Sequence, residues 1–303
     1  MEYDDGMTRY SACLGAVLVA ASFCNPAFAA APHRMIGNIY FVGQDDLCSY
    51  LITTPKGNIL INTGFEFSVP VIHKNIETLG FKYKDIKILL VTHAHSDHAA
   101  GFATIKKQTG AQMWAIEQER ELLETGGKTD FLFGVNGWFT PVKVDHVFKD
   151  GDRIELGDTA IVAHLTPGHT KGATSYSIDI NENGKLYHVL IANMPQLNDG
   201  VLLVNNPKYP DVAKDYVKAF NVLRSLPCDV FLSSHTTQFH FNRKFHLDTK
   251  YDPERYVDPD GFKFELDHLQ DVFYAELQQQ IDEEKWTHER LNFKEPSDAD
   301  RQQ

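Results

Sequence analysis

The sequence predicts an α/β protein built from two β-sheets packed face to face, with helices on the outside. Three observations predict it. Strand and helix patterns interleave along most of the chain, and the second half repeats the style of the first. Of the 303 residues, 43% are hydrophobic and 23% charged, enough to fill one large core. Neither a short-period repeat nor a Gly/Ser-rich linker divides the chain, so residues 30–290 read as one domain.

The elements follow in order. Residues 38–42, 50–54 and 58–62 read as short strands, with the turn Pro55-Lys56-Gly57-Asn58 between the last two. Val69, Ile72, Ile76 and Leu79 recur at helical spacing, and Gly80 stops that helix. The apolar run from Ile86 to Val91 suits a strand buried on both faces. A short helix over about 101–109 and a strand over 113–116 come next. Further strands are expected at 153–156, 160–165, 174–178 and 186–192. A helix at about 211–226 leads through Pro227 to a strand at 229–233. Leu266, Leu269, Phe273, Leu277 and Ile281 mark a last amphipathic helix. Past Trp286 the chain turns polar, which predicts a frayed end and a disordered tail over 291–303.

The N-terminus reads as an export signal over residues 1–29. Met7-Thr8-Arg9 supplies a basic start, Ala12 to Phe23 an apolar stretch too short to span a bilayer, and Ala27-Phe28-Ala29 a small-x-small cleavage site. Met7 offers an alternative start. The expected mature protein is soluble and periplasmic. Cleavage removes three acidic residues and one arginine, which moves the net charge from −12 to about −10. That acidity argues against nucleic acid or an anionic membrane as partner. A small anionic substrate stays possible, because a bound metal reverses the local field. A monomer is the default expectation. Of four cysteines, Cys13 and Cys24 leave with the signal. Cys48 and Cys228 stand far apart, outside any CxxC pair, and are expected to be free buried thiols.

The chemistry is carried by histidine. The run His93-Ala94-His95-Ser96-Asp97-His98 places four zinc-competent side chains within six residues, directly after the buried strand. His93 and His95 are two apart, so in extended chain they face the same way. Each catalytic zinc needs about three protein ligands and one open position, so a two-metal site needs more. His169, in Thr166-Pro167-Gly168-His169-Thr170, and His235, after Leu232-Ser233-Ser234, both follow predicted strands. Two zinc ions per chain are therefore expected. Of the remaining histidines, His73, His268 and His288 lie on helical stretches, His146, His164 and His188 in or near strands, and His33 near the mature N-terminus. His240 and His246 follow His235 closely and could line a pocket. All of these are read as structural. Asn62, ending a strand beside the expected site, is a candidate to steady a ligand. Phe131 to Phe139, with Gly134 and Gly137, is either a mobile flap over the site or an aromatic packing patch.

These motifs resemble the metallo-β-lactamase superfamily over nearly all of the mature chain, and within it subclass B3. The supporting strings are the full H-x-H-x-D-H loop, the Thr166 to Gly172 turn, Gly57 to Gly64, and Leu226-Pro227-Cys228-Asp229-Val230. The resemblance implies an αββα four-layer sandwich, two packed mixed β-sheets with helices outside. It assigns His93, His95 and His169 to a first zinc, and Asp97, His98 and His235 to a second. Many superfamily hydrolases place a bridging Asp, and other β-lactamase subclasses a Cys, near the position occupied here by Ala192-Asn193-Met194. Asn193 is a poor bridging ligand, which counts against glyoxalase, lactonase and RNase Z activities and fits B3. One departure stands out: serines typical of B3 enzymes, some of which hold the substrate carboxylate, are replaced by Met194 and Gln196. The implied activity is hydrolysis of the β-lactam amide by a zinc-bound hydroxide, with Asp97 as ligand and catalytic residue. The alternatives are a hydrolase of another ester, lactone or thioester, and a non-catalytic zinc-binding protein.

Overall fold

The computed structural model describes residues 31–44, 46–245 and 250–292. The export signal, His246 and the tail from 293 onward lie outside the described residues. Among the described residues the strands form two sheets. The first contains β1 (His33–Ile36), β2 (Ile39–Phe41), β3 (Tyr50–Thr54), β4 (Gly57–Ile61), β5 (Ile86–Leu90), β6 (Gln112–Ile116) and β7 (His146–Phe148), side by side in that order. It is antiparallel from β1 to β4 and parallel from β4 to β7. The second contains β8 (Arg153–Leu156), β9 (Thr159–Leu165), β10 (Thr174–Glu182), β11 (Lys185–Ala192) and β12 (Val230–Ser233). Only its β11–β12 pair is parallel.

Side-chain alternation builds the layers. Tyr50, Ile52, Ile59, Ile61, Ile88 and Leu90 point from the first sheet into a shared core with Ile161, Tyr176, Ile178 and Val189 of the second. The intervening Leu51, Leu60, Leu89 and Val91 face the other way, onto the helices. There they meet α1 (Val69–Thr78), α3 (Phe102–Thr109) and α4 (Glu117–Thr125), through Ile72, Ile76, Phe102, Ile105 and Leu123. Behind the second sheet lie α5 (Val212–Ser225), through Tyr216, Phe220 and Leu223, and α7 (Pro259–Asn292), through Leu266 and Phe273. The result is the expected αββα four-layer sandwich. Burying both faces of each sheet is what the apolar strands require.

Several details differ from expectation. Lys87 is exposed, so β5 is buried on both faces only beyond its start. The last helix begins at Pro259, where a proline's missing N–H costs nothing, and continues past Trp286 to Asn292. The sequence pattern gives no sign of β1, β7 or α4. The two strands are only four and three residues long, and α4 opens on five polar residues before Leu122 and Leu123 supply its buried side. Cys48 is buried, Cys228 is half-buried, and both are free thiols. Among the described residues, no helix is long and apolar enough to cross a membrane.

Candidate metal centre

The histidine-bearing segments leave their strands at one end of the sandwich. Beyond β5 the chain stays extended through His95 (φ −81°, ψ 156°) and then enters α2 (Ser96–Ala99), which carries Asp97 and His98. Beyond β9, Gly168 turns the chain at φ +127°, with the Tyr216 ring 2.8 Å from where a Cβ would stand, so only glycine fits this approach to His169. Beyond β12, His235 is again extended. Thr92 ties these segments together. Its N–H donates to Asn62 Oδ1 at 2.9 Å, and Asn62 Nδ2 donates back to Thr92 Oγ1 at 3.1 Å. Its carbonyl accepts from Thr174 N–H at 2.7 Å, and its hydroxyl lies 2.9 Å from Ser234 Oγ. Asn62 adopts φ +61°, a conformation asparagine tolerates better than most residues, and so acts on the backbone before His93 rather than on a histidine ring.

All six predicted residues converge. His93, His95 and His169 each offer a nitrogen within 4.8 Å of the others and could hold a metal ion. Asp97, His98 and His235 form a tighter triangle: His98 Nε2 lies 3.1 Å from Asp97 Oδ2 and 3.1 Å from His235 Nε2, and the last two atoms are 3.6 Å apart. Tetrahedral zinc with ligands at 2.0–2.1 Å sets neighbouring ligand atoms about 3.3–3.4 Å apart, so this triangle matches the edge lengths of such a site. His93 is also within 4.8 Å of the Asp97 and His98 ligand atoms. Because its ring packs against those of His95 and His169, at 4.8 and 4.5 Å between centroids, it serves as the junction between the two groups.

Each ring is aimed by its other nitrogen, with the exception of His98, whose buried Nδ1 has no partner. His93 Nδ1 lies 2.7 Å from Asn193 Oδ1, and His95 Nε2 3.3 Å from Asp130 Oδ2. His169 Nδ1 lies 2.7 Å from the Gln196 carbonyl, and His235 Nδ1 2.8 Å from Asp46 Oδ2. In every case an oxygen acceptor fixes the proton on the outer nitrogen and leaves the inner lone pair facing the cluster. Burial and neighbouring histidines keep His93 well below the ordinary imidazole range and bring His169 to about 3. Burial likewise lowers His98, against the opposing pull of Asp97. Burial alone would raise Asp97, but His98 and His235 beside it hold its carboxyl well below the usual range. Against its burial, Asp46 and Asp97 raise His235. Imidazoles held neutral at His93, His98 and His169 beside an ionised carboxylate make a donor set suited to a divalent cation. Sequence reasoning missed Asp46, Asp130, Glu119 and the supporting role of Asn193.

Glu119, on α4, is 1% exposed. One of its oxygens accepts from Ala94 N–H at 2.6 Å, the other from Gly172 N–H at 2.9 Å, and the Thr170 hydroxyl reaches both at 2.8 and 2.9 Å. It thus joins the backbone between His93 and His95 to the turn that carries His169.

The cluster floors a cavity of about 310 Å³. Phe65, Phe133, Asn136 and Gly137 stand on its walls, and Met194, Gln196, Asn198 and Gln238 complete it. Among the described residues, no lysine or arginine lines it. In the Phe131 to Phe139 segment, Phe131 and Phe139 are buried in the packing, whereas Phe133 is 39% exposed, lines the cavity and sets its ring edge-on to His95 at 5.0 Å. The other described histidines stay outside. His73 stacks on Tyr83, His146 packs on Trp114, His164 and His188 bond Ser177 and Asp179, and His240 opens α6 (Phe241–Lys244) away from the cavity.

Comparison with known proteins agrees with this geometry. The family description "Metallo-beta-lactamase superfamily" matches residues 48–182. The FEZ-1 metallo-beta-lactamase from Legionella gormanii is 45% identical, with a TM-score of 0.80 over 82% of this chain and 96% of that one. The class B3 di-zinc metallo-beta-lactamase LRA-12 from an Alaskan soil metagenome is 40% identical, with a TM-score of 0.79 over 82% of this chain and 94% of that one. Curated relatives match over shorter stretches, and the chain spans less than two thirds of their length. One is the probable metallo-hydrolase YqgX of Bacillus subtilis, 24% identical over 143 residues, which are 46% of this chain and 60% of that protein. Fold, converging residues and overall identity lead to one conclusion: the chain belongs to the metallo-beta-lactamase superfamily, and within it to the class B3 metallo-beta-lactamases.

Proposed function

We propose that this chain is an exported zinc-dependent β-lactamase that hydrolyses the β-lactam amide bond. The observation that carries the proposal is the pair of ligand triangles at one cavity, with the lone pairs of His93, His95, His169 and His235 turned inward by acceptors behind them. In this proposal His93, His95 and His169 hold one zinc, and Asp97, His98 and His235 hold the other. Zinc bound there supplies a water acidic enough to be nucleophilic at neutral pH and a Lewis acid for the amide carbonyl. The rest falls to the chain's own residues. The Asp97 carboxylate, ionised at neutral pH, orients the attacking water and carries its proton toward the ring nitrogen, which must gain one as the C–N bond breaks. Phe65 and Phe133 give the cavity apolar walls that limit competing water. Among the polar groups lining the cavity, the side-chain amides of Asn136, Gln196 and Asn198 are able to meet the substrate's own polar substituents.

The test is a hydrolysis panel on purified zinc-loaded protein, with penicillin, cephalosporin and carbapenem substrates beside a thioester and a lactone. Cleavage of the β-lactams, abolished by a chelator, is expected. Intact β-lactams with a cleaved thioester or lactone would overturn the proposal. The variant His95→Ala is expected to lose one of two zinc ions; a full complement would refute the ligand assignment.

A further inference from the structure

Given the proposed metal site of His93, His95 and His169, we infer that the buried carboxylate of Glu119 is the positioning residue that sets that site's geometry and affinity, without touching metal or substrate.

The case begins with an oddity of charge. A carboxylate that is 1% exposed ordinarily needs a cationic neighbour, because burying an unpaired charge is costly. Among the described residues no lysine, arginine or histidine forms an ion pair with Glu119. It is surrounded by donors instead: the Ala94 and Gly172 amides and the Thr170 hydroxyl. Three donors converging on two oxygens favour the ionised form, since a protonated oxygen would turn a donor toward a donor. Burial pushes its pKa up to about 7 against those bonds, so the balance is close in the protein alone. A divalent cation held by the neighbouring histidines would supply the missing positive charge and favour the anion.

The placement explains why this group matters to one site in particular. Ala94 is the residue between His93 and His95, and Thr170 directly follows His169. All three ligands of the proposed first site therefore hang on backbone that Glu119 holds. The ligands of the second site have other supports, including Asp46 behind His235. The close approach is built in on both sides. A Cβ at Gly172 would stand 2.3 Å from the Glu119 nitrogen and 2.6 Å from its Cβ, so the turn after His169 must be glycine to reach α4. The two carboxylate oxygens divide the work, one taking the first loop and the other the His169 turn. A glutamine at this position could accept from only one; its amide N–H would face an N–H of the other.

Cobalt(II) and zinc titrations of the full chain, with chelator competition, test this. The wild type is expected to take two ions. Glu119→Gln should keep the second-site ion at wild-type affinity and bind the first roughly 10–100-fold more weakly, with the visible cobalt bands of that site altered. Thr170→Val, which keeps the carboxylate and removes one donor, should move the same site in the same direction by a smaller factor, and Thr170→Ser should restore it. If Glu119→Gln does not fold, the Thr170 pair decides. Wild-type affinity at both sites in Glu119→Gln, or in Thr170→Val, would overturn the inference. A wild type that binds no ion through His93, His95 and His169 would overturn the metal-site proposal itself.

Discussion

Asp130 offers a sharp test of how the centre is organised. One of its oxygens, Oδ1, accepts from the Leu132 and Phe133 amides at 2.9 and 2.6 Å. The other, Oδ2, faces His95 Nε2 at 3.3 Å. In the wild type, His95 donates from Nε2 and keeps Nδ1 free as a lone pair. In Asp130→Asn the two backbone amides hold the asparagine oxygen, so its NH₂ must face His95. That NH₂ donates to Nε2 and forces the ring proton onto Nδ1, the nitrogen the metal requires. Asp130→Ala removes the acceptor but leaves the tautomer free. The near-isosteric asparagine should therefore do more damage to metal binding than alanine does. Losing an acceptor behind a ligating histidine costs about 10–100-fold in affinity, or about 1.4–2.7 kcal/mol. Alanine should fall within that range, and asparagine at its upper end or beyond. Zinc titration against a chelator measures both. Equal affinity in wild type and Asp130→Asn, or a smaller loss in asparagine than in alanine, would refute the tautomer argument.

Three further predictions concern the frame. His33 is half-buried, its ring packed among Phe41, Phe245 and Tyr256, and the desolvation there brings its pKa down to about 4. The folded protein thus holds fewer protons than the unfolded chain between about pH 6.5 and 4, so this group's stability is present above pH 6.5 and declines as pH falls, by at most about 1.4 kcal/mol per unit. His33→Phe should flatten the pH dependence of the urea midpoint between pH 7 and 5; an unchanged slope would contradict this. Gly168→Ala combines φ +127° with a clash on Tyr216, and should lower stability by about 1–3 kcal/mol in denaturant unfolding. Tyr50 Oη donates across the sandwich to the Ser233 carbonyl at 2.5 Å, so Tyr50→Phe should cost about 1–1.5 kcal/mol and leave the ring packing intact, as read from the unfolding midpoint.

The parts of the site that were legible in the sequence are those with a local signature. The loop from His93 to His98 announces itself by composition and by following an apolar strand. His169 and His235 are marked by turns after strands. The supporting residues carry no such mark. Asp46, Asp130 and Asn193 lie 35 to 189 residues away in sequence from the histidines they aim, so packing alone reveals the pairing. Asn193 is instructive: its inability to bridge two metals was legible, whereas its task behind His93 was not. Glu119 was missed because α4 was missed, and α4 was missed because its first five residues are polar. The fold itself was largely legible, since alternation in β3, β4 and β5 sorts residues between two cores. Short β1 and β7 are held by their neighbours in the sheet more than by their own pattern.

The central claim is that this chain holds two zinc ions, each within its own triangle. The most direct measurement is a crystal structure of the purified protein with anomalous data collected at the zinc edge. Two anomalous peaks are predicted, one among His93, His95 and His169 and the other among Asp97, His98 and His235. A single peak, or a peak whose ligands lie outside these six residues, would contradict the account.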